Sequence, residues 1–107
     1  MALRAIRSEE RALIGHLLSL LEDGAQYQIP QEVGDMSEAG TGGIQLSTRG
    51  EHTADLIEAD YKDADGRDVY LTLSANQYGE LYDLDIWKTD FSPLRRYPEP
   101  DKVKRSM

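Results

Sequence analysis

Asp83 and Asp85 stand two residues apart in the stretch Leu81 to Leu94, LYDLDIWKTDFSPL, which also holds the chain's single Trp and single Phe. On a β-strand such a spacing points both carboxylates to one face, about 7 Å apart at the backbone. A carboxylate pair of this kind can act as a general acid and base, bind a hard cation, or meet a basic partner. The first role needs a cleft that drives two pKa values apart, which an open strand does not supply. The second needs oxygen ligands on an inward curve, and neither His16 nor His52 stands at ligand spacing from the pair. The third needs only exposure and an anchor, for which Tyr70 and Trp87 are the candidates.

Other motifs are weaker. Asp63-Ala64-Asp65-Gly66 resembles part of a calcium loop, but with Gly66 at the sixth position the first and twelfth fall on Tyr61 and Thr72, which are not the carboxylates required. The glycine-rich segment around residues 34–43 has no following Gly-Lys-Ser/Thr and leads into a strand-like GIQLS, so it does not read as a phosphate cradle. The chain has no cysteine, hence no disulfide, no thiolate nucleophile and no Cys-ligated zinc. Neither G-x-S-x-G nor H-E-x-x-H occurs. No metal site and no cofactor is implied, and the residues favour a binding role over an enzyme.

The elements that position these residues follow from hairpin geometry. In DLIEADYKDADGRDVYLTLS, a three-residue loop Ala64-Asp65-Gly66 pairs Asp63 with Arg67. Tyr61 then faces Val69, Ala59 faces Leu71 and Ile57 faces Leu73, which puts six apolar side chains on one side. A four-residue loop Asn76–Gly79 extends the meander, setting Leu73 opposite Tyr82, Leu71 opposite Leu84 and Val69 opposite Ile86. The apolar faces match again, and a one-residue slip would invert a strand. GIQLS supplies a fourth strand through Ile44 and Leu46.

This register also fixes the opposite face. Its cross-strand rows are Asp60, Tyr70, Asp85 and Glu58, Thr72, Asp83, with Asp68 and Trp87 beyond them. Glu58, Asp60, Tyr70, Asp83, Asp85 and Trp87 are therefore the candidate partner-binding residues. Where the last strand ends, Phe91 can plug the sheet, Asp90 and Ser92 can close a turn, and Pro93 directs the chain away. The same end would place Lys88 and Asp90 at an accessible rim, a second candidate site for a small ligand or an enzymatic function.

Before the sheet, Ser8 reads as an N-cap followed by Glu9 and Glu10 against the helix dipole. Apolar residues from Leu13 to Leu21 cover an arc of about 160°, so a helix over about residues 8–23 should lie across the core. His16 falls on its flank as a surface or edge residue. YQIPQEV reads as a short edge strand carrying Pro30.

The formal charge is −8 and is unevenly spread. Residues 12–90 hold sixteen Asp and Glu against only Arg49, Lys62, Arg67 and Lys88, while residues 91–107 carry five basic side chains and two acidic ones. Such a body repels nucleic acid and anionic membrane, and favours a basic protein partner. The N-terminus shows neither a signal peptide nor a membrane span, which points to a soluble, cytoplasmic protein. At 107 residues a single domain is expected, with the sheet over about residues 43–90 and an extended, mobile tail over about 95–107.

The order SEERALIGHLLSLL, a Gly-rich M-x-x-x-G-x-G-G-I-x-L segment, D-x-D-G-x-x-V-x-L-x-L and ELYDLDIWKTDFSPL resembles a family of small uncharacterised bacterial proteins, a domain of unknown function, over roughly residues 5–98. The resemblance supplies no catalytic residue. It implies kinship with small acidic proteins that occur near bacterial toxin systems, and with it an immunity-type role.

The expectation is therefore an α+β domain, an N-terminal helix packed on a mainly antiparallel four-stranded meander, that neutralises a basic protein through its acidic sheet face. The alternatives are a ligand-binding or enzymatic site at Lys88 and Asp90, and a homodimeric structural protein. Monomer and homodimer both remain open.

Overall fold

A computed structural model describes residues 2–36, 43–90, 92 and 94–106. Most of the glycine-rich segment, Phe91 and Pro93 lie outside the described residues, and with them the expected loop, plug and exit.

The described residues form one α-helix and a seven-stranded antiparallel sheet. The elements are β1 (Leu3–Ala5), α1 (Ser8–Ser19), β2 (Glu32–Asp35), β3 (Ile44–Gln45), β4 (Ala54–Lys62), β5 (Asp68–Ala75), β6 (Leu81–Lys88) and β7 (Lys104–Arg105). Their order across the sheet is β1-β2-β3-β6-β5-β4-β7. The α+β class is as expected, but a four-stranded meander understates the sheet. The strands added to the meander, β1, β2 and β7, are two to four residues long; β2 overlaps the expected edge strand YQIPQEV only at Glu32 and Val33, and it lies between β1 and β3, not at an edge.

The β4–β5 hairpin forms in the expected register, with Tyr61 opposite Val69, Ala59 opposite Leu71 and Ile57 opposite Leu73. Its turn closes through Asp63 and Arg67, and Gly66 takes the left-handed φ of 82° that the loop requires. The next hairpin keeps its faces but not its pairs: Leu73 meets Leu84, Leu71 meets Ile86 and Tyr70 meets Trp87. The turn is a three-residue loop, Gln77-Tyr78-Gly79, again ending in a left-handed glycine, so Ala75 pairs with Leu81. Tyr82 is then left over as a bulge between Leu81 and Asp83, and the two one-residue changes move β6 two residues along β5. The Tyr82 carbonyl is not wasted: it accepts from the backbone of Leu46 and Ser47 and from the Gln45 amide.

Leu13, Ile14, Leu17 and Leu18 of α1 cover the apolar sheet face, against Ile44, Ile57, Leu71, Leu73, Leu84 and Ile86. The helix is capped by Arg7, one residue before the expected Ser8. That change brings Glu10 to the third helical position, where its carboxylate accepts from the Arg7 amide at 2.9 Å, half of a capping box. The helix ends at Ser19, before residue 23, and the chain turns through Gly24–Gln26. Pro30 precedes β2, so the strand that follows it keeps its full set of backbone donors.

The C-terminal segment, expected as a free tail, folds back. A 3-10 turn at Pro100–Lys102 delivers Val103, 4 % exposed, to the core and β7 to the outer edge of β4. His16 holds this return, its Nε2 donating to the Val103 carbonyl at 3.0 Å.

Candidate functional site

The face of the sheet away from α1 is built by the period-two alternation of β4, β5 and β6. Because β6 is displaced by two residues, its rows are Asp60, Tyr70, Trp87 and Glu58, Thr72, Asp85, and not the rows expected from a four-residue turn. All six candidate partner-binding residues lie on this face. The displacement moves Trp87 from a corner to the row of Asp60 and Tyr70. There its ring stacks on Tyr70, with centroids 4.9 Å apart and planes 30° apart, while the indole stays 38 % exposed.

Asp83 is carried to the end of the sheet beside Ser74, whose buried hydroxyl donates to its carboxylate at 2.5 Å. Asp83 and Asp85 thus differ in exposure, one half-buried beside Ser74, one exposed across from Thr72. Glu58 and Asp60 follow on β4. The Asp60 carboxylate accepts from the Ser106 hydroxyl at 2.6 Å, and β7 sets Lys104 opposite Asp60. Asp68 is paired with Lys62 at 2.8 Å. Glu58, Asp60, Asp68 and Asp85 therefore stand near the aromatic pair, with Asp83 farther along β6 and Lys62 and Lys104 at one border. A hollow of about 230 Å³ opens among Glu58, Tyr70, Thr72, Trp87 and Ser106.

The second candidate site is different from its expected form. Lys88 is not at an accessible rim: its side chain has no exposed surface, and its ammonium donates to Asp65 at 2.6 Å and Asp63 at 3.0 Å. Parity explains it, since Lys88 lies on the same face of β6 as Leu84 and Ile86, and Asp63 on the same face of β4 as Tyr61. Asp63 also accepts from the amides of Ala64, Arg95 and Arg96 at 2.7–3.2 Å, so the cluster ties the hairpin tip to the C-terminal segment. Burial alone would push the Lys88 ammonium down, but the bonds to Asp65 and Asp63 outweigh it and hold the group above its ordinary range. Burial likewise opposes ionisation of Asp63, and is outweighed by the Arg95 amide and Lys88, which keep it below the usual carboxylate range. Asp90 is held by Ser92 and by Arg67 at 3.0 Å, apart from Lys88.

Two further polar groupings were not anticipated from the sequence. Arg4 forks onto the buried Glu10 at 2.8 and 2.9 Å and also pairs with Asp35, joining β1, α1 and β2. At the β5–β6 turn, Arg49 forks onto Glu80 at 2.8 and 3.0 Å while its guanidinium lies 4.6 Å from the Tyr78 ring centre. No local signal marked either, because each partner comes from more than thirty residues away or from an element too short to see. His52 bonds the exposed Asp55 at 2.7 Å. Among the described residues no three His, Cys, Asp or Glu side chains gather into a group that could hold a metal ion, and no helix is long and apolar enough to cross a membrane.

The chain belongs to the family described as Domain of unknown function (DUF6984), whose model matches residues 3–98. The match carries the resemblance seen over residues 5–98 and assigns no activity. Comparison with curated proteins and with solved structures finds no match.

Proposed function

We propose that the domain is a non-enzymatic binding protein that receives a basic protein on its acidic sheet face, in the manner of an immunity protein. One observation carries the reading: the sheet face turned away from α1 presents the partly exposed Trp87, stacked on Tyr70, with Glu58, Asp60 and Asp85 near it. An aromatic centre with a charged surround is the arrangement in which a few anchors supply affinity and the charges supply orientation and encounter rate. The net charge of −8 adds long-range attraction for a basic surface, screened beyond about 8–10 Å at physiological salt.

The test is capture from a native cell extract with the folded domain as bait, at low and at moderate salt. A stoichiometric basic protein, retained at low salt and released as salt rises, supports the reading. A partner whose retention is indifferent to salt, or one that is acidic, counts against it.

A further inference from the structure

We propose that the hollow above Tyr70 and Trp87 holds one arginine side chain of the partner, stacked on the Trp87 ring and forked onto Glu58. This rests on the acidic face being the binding face, and it narrows that face to a single pocket and a single kind of group.

The hollow is about 230 Å³. Small-molecule sites run at roughly 300–1,000 Å³, so this space suits one side chain better than a free metabolite. Its walls are chemically divided. Tyr70 and Trp87 offer aromatic surface, whose faces attract a cation, and Glu58 offers an exposed carboxylate on β4, across β5 from Trp87 and one row along. Thr72 and Ser106 add hydroxyls, Ser106 being held in place by its bond to Asp60. An anion would meet Glu58, Asp60 and Asp85 together.

Arginine is favoured over lysine by shape. A planar guanidinium can lie on an aromatic ring while its edge forks onto a carboxylate, whereas an ammonium is a compact and strongly hydrated point charge. The chain itself contains a finished example. Arg49 lies 4.6 Å from the Tyr78 ring centre and binds both oxygens of Glu80. Trp87 and Glu58 bring an aromatic ring and a carboxylate to one hollow, here across three strands instead of within one turn. The chain's own Arg105 is directed elsewhere, its guanidinium donating to the Leu20 carbonyl.

Trp87 is the only tryptophan, so its fluorescence reports on the hollow directly. The probes are capped pentapeptides Gly-Gly-X-Gly-Gly with X as arginine, lysine or citrulline, together with hexa-lysine, titrated against the full chain with backbone amide shifts followed by NMR. Arginine should change Trp87 emission saturably, lysine should bind about threefold or more weaker, and citrulline should not bind. Glu58→Gln should weaken the arginine peptide about fivefold, and Trp87→Leu should abolish its specific shifts, while Glu51→Gln, off this face, should change nothing. Equal binding of arginine and lysine, insensitive to Glu58→Gln, would overturn the pocket; if hexa-lysine still shifted the amides of β4 to β6, the acidic face would stand as a diffuse surface. Should hexa-lysine leave those amides unmoved, the acidic-face reading itself fails, and the pocket with it.

Discussion

Lys88 and Asp63 face each other 3.0 Å apart on the helix side of the sheet, and neither side chain has any exposed surface. A buried ion pair contributes little net stability against an apolar replacement, yet losing one partner strands the other. Asp63 is the more critical of the two because three backbone amides also depend on it. Asp63→Ala should therefore cost about 3–5 kcal/mol, measured by urea unfolding. It should also free the segment around Arg95 and Arg96, visible as faster amide exchange there. A cost no greater than that of Asp65→Ala, whose carboxylate is partly exposed, would contradict this reading of the cluster.

Glu80 sets an acid limit on stability. Its bonds from Arg49 and Asn76 lower its pKa to about 2 in the folded chain, from an ordinary 4.5. A depressed carboxylate contributes stability that is complete above the unfolded value and is lost as pH falls toward the folded one. The slope of stability against pH between about 4.5 and 2 should thus be shallower in Glu80→Gln than in the wild type. Parallel curves for the two proteins across that window would remove Glu80 from the account.

Tyr97 gives a contrasting case. Its hydroxyl is buried with no hydrogen-bond partner among the described residues, and burial pushes its pKa well up. An unsatisfied buried polar group costs roughly 1–3 kcal/mol. Tyr97→Phe removes it without changing the ring, so the variant should be as stable as the wild type or up to about 1 kcal/mol more stable. A clear loss of stability in thermal unfolding would show that the hydroxyl has a partner in solution.

How much of this was legible in the sequence varies with the length of the signal. The β4–β5 hairpin was readable pair by pair, since Ala64-Asp65-Gly66 and two long alternating strands constrain one another. The β5–β6 hairpin was readable in face but not in pairing. Nothing local distinguishes a four-residue turn from a three-residue turn followed by a bulge at Tyr82, because both keep the same parity. That difference decided the site, for it is what brings Trp87 beside Tyr70. Lys88 shows a signal present but unused: the alternation that buries Ile86 also buries Lys88, and only the habit of placing lysine outside argued otherwise. The short strands β1 and β7 form because Arg4 and Val103 find distant partners, and two or three residues carry no pattern of their own; β2 was legible only as a short strand near Pro30, without the β1 strand that covers its edge.

The measurement closest to the central claim compares three baits, wild type, Glu58→Lys with Asp85→Lys, and Glu51→Lys, in capture of the same basic partner at low and at moderate salt. Each changed side chain is exposed, and unchanged circular dichroism would establish that the fold survives. The acidic-face account predicts that the double reversal slows association and lowers affinity at least tenfold at low salt, while Glu51→Lys binds nearly as the wild type does. A loss of binding free energy in Glu51→Lys about half that of the double variant, in proportion to its smaller change of charge, would reduce the effect to net charge, and full retention by the double variant would place the partner on another surface.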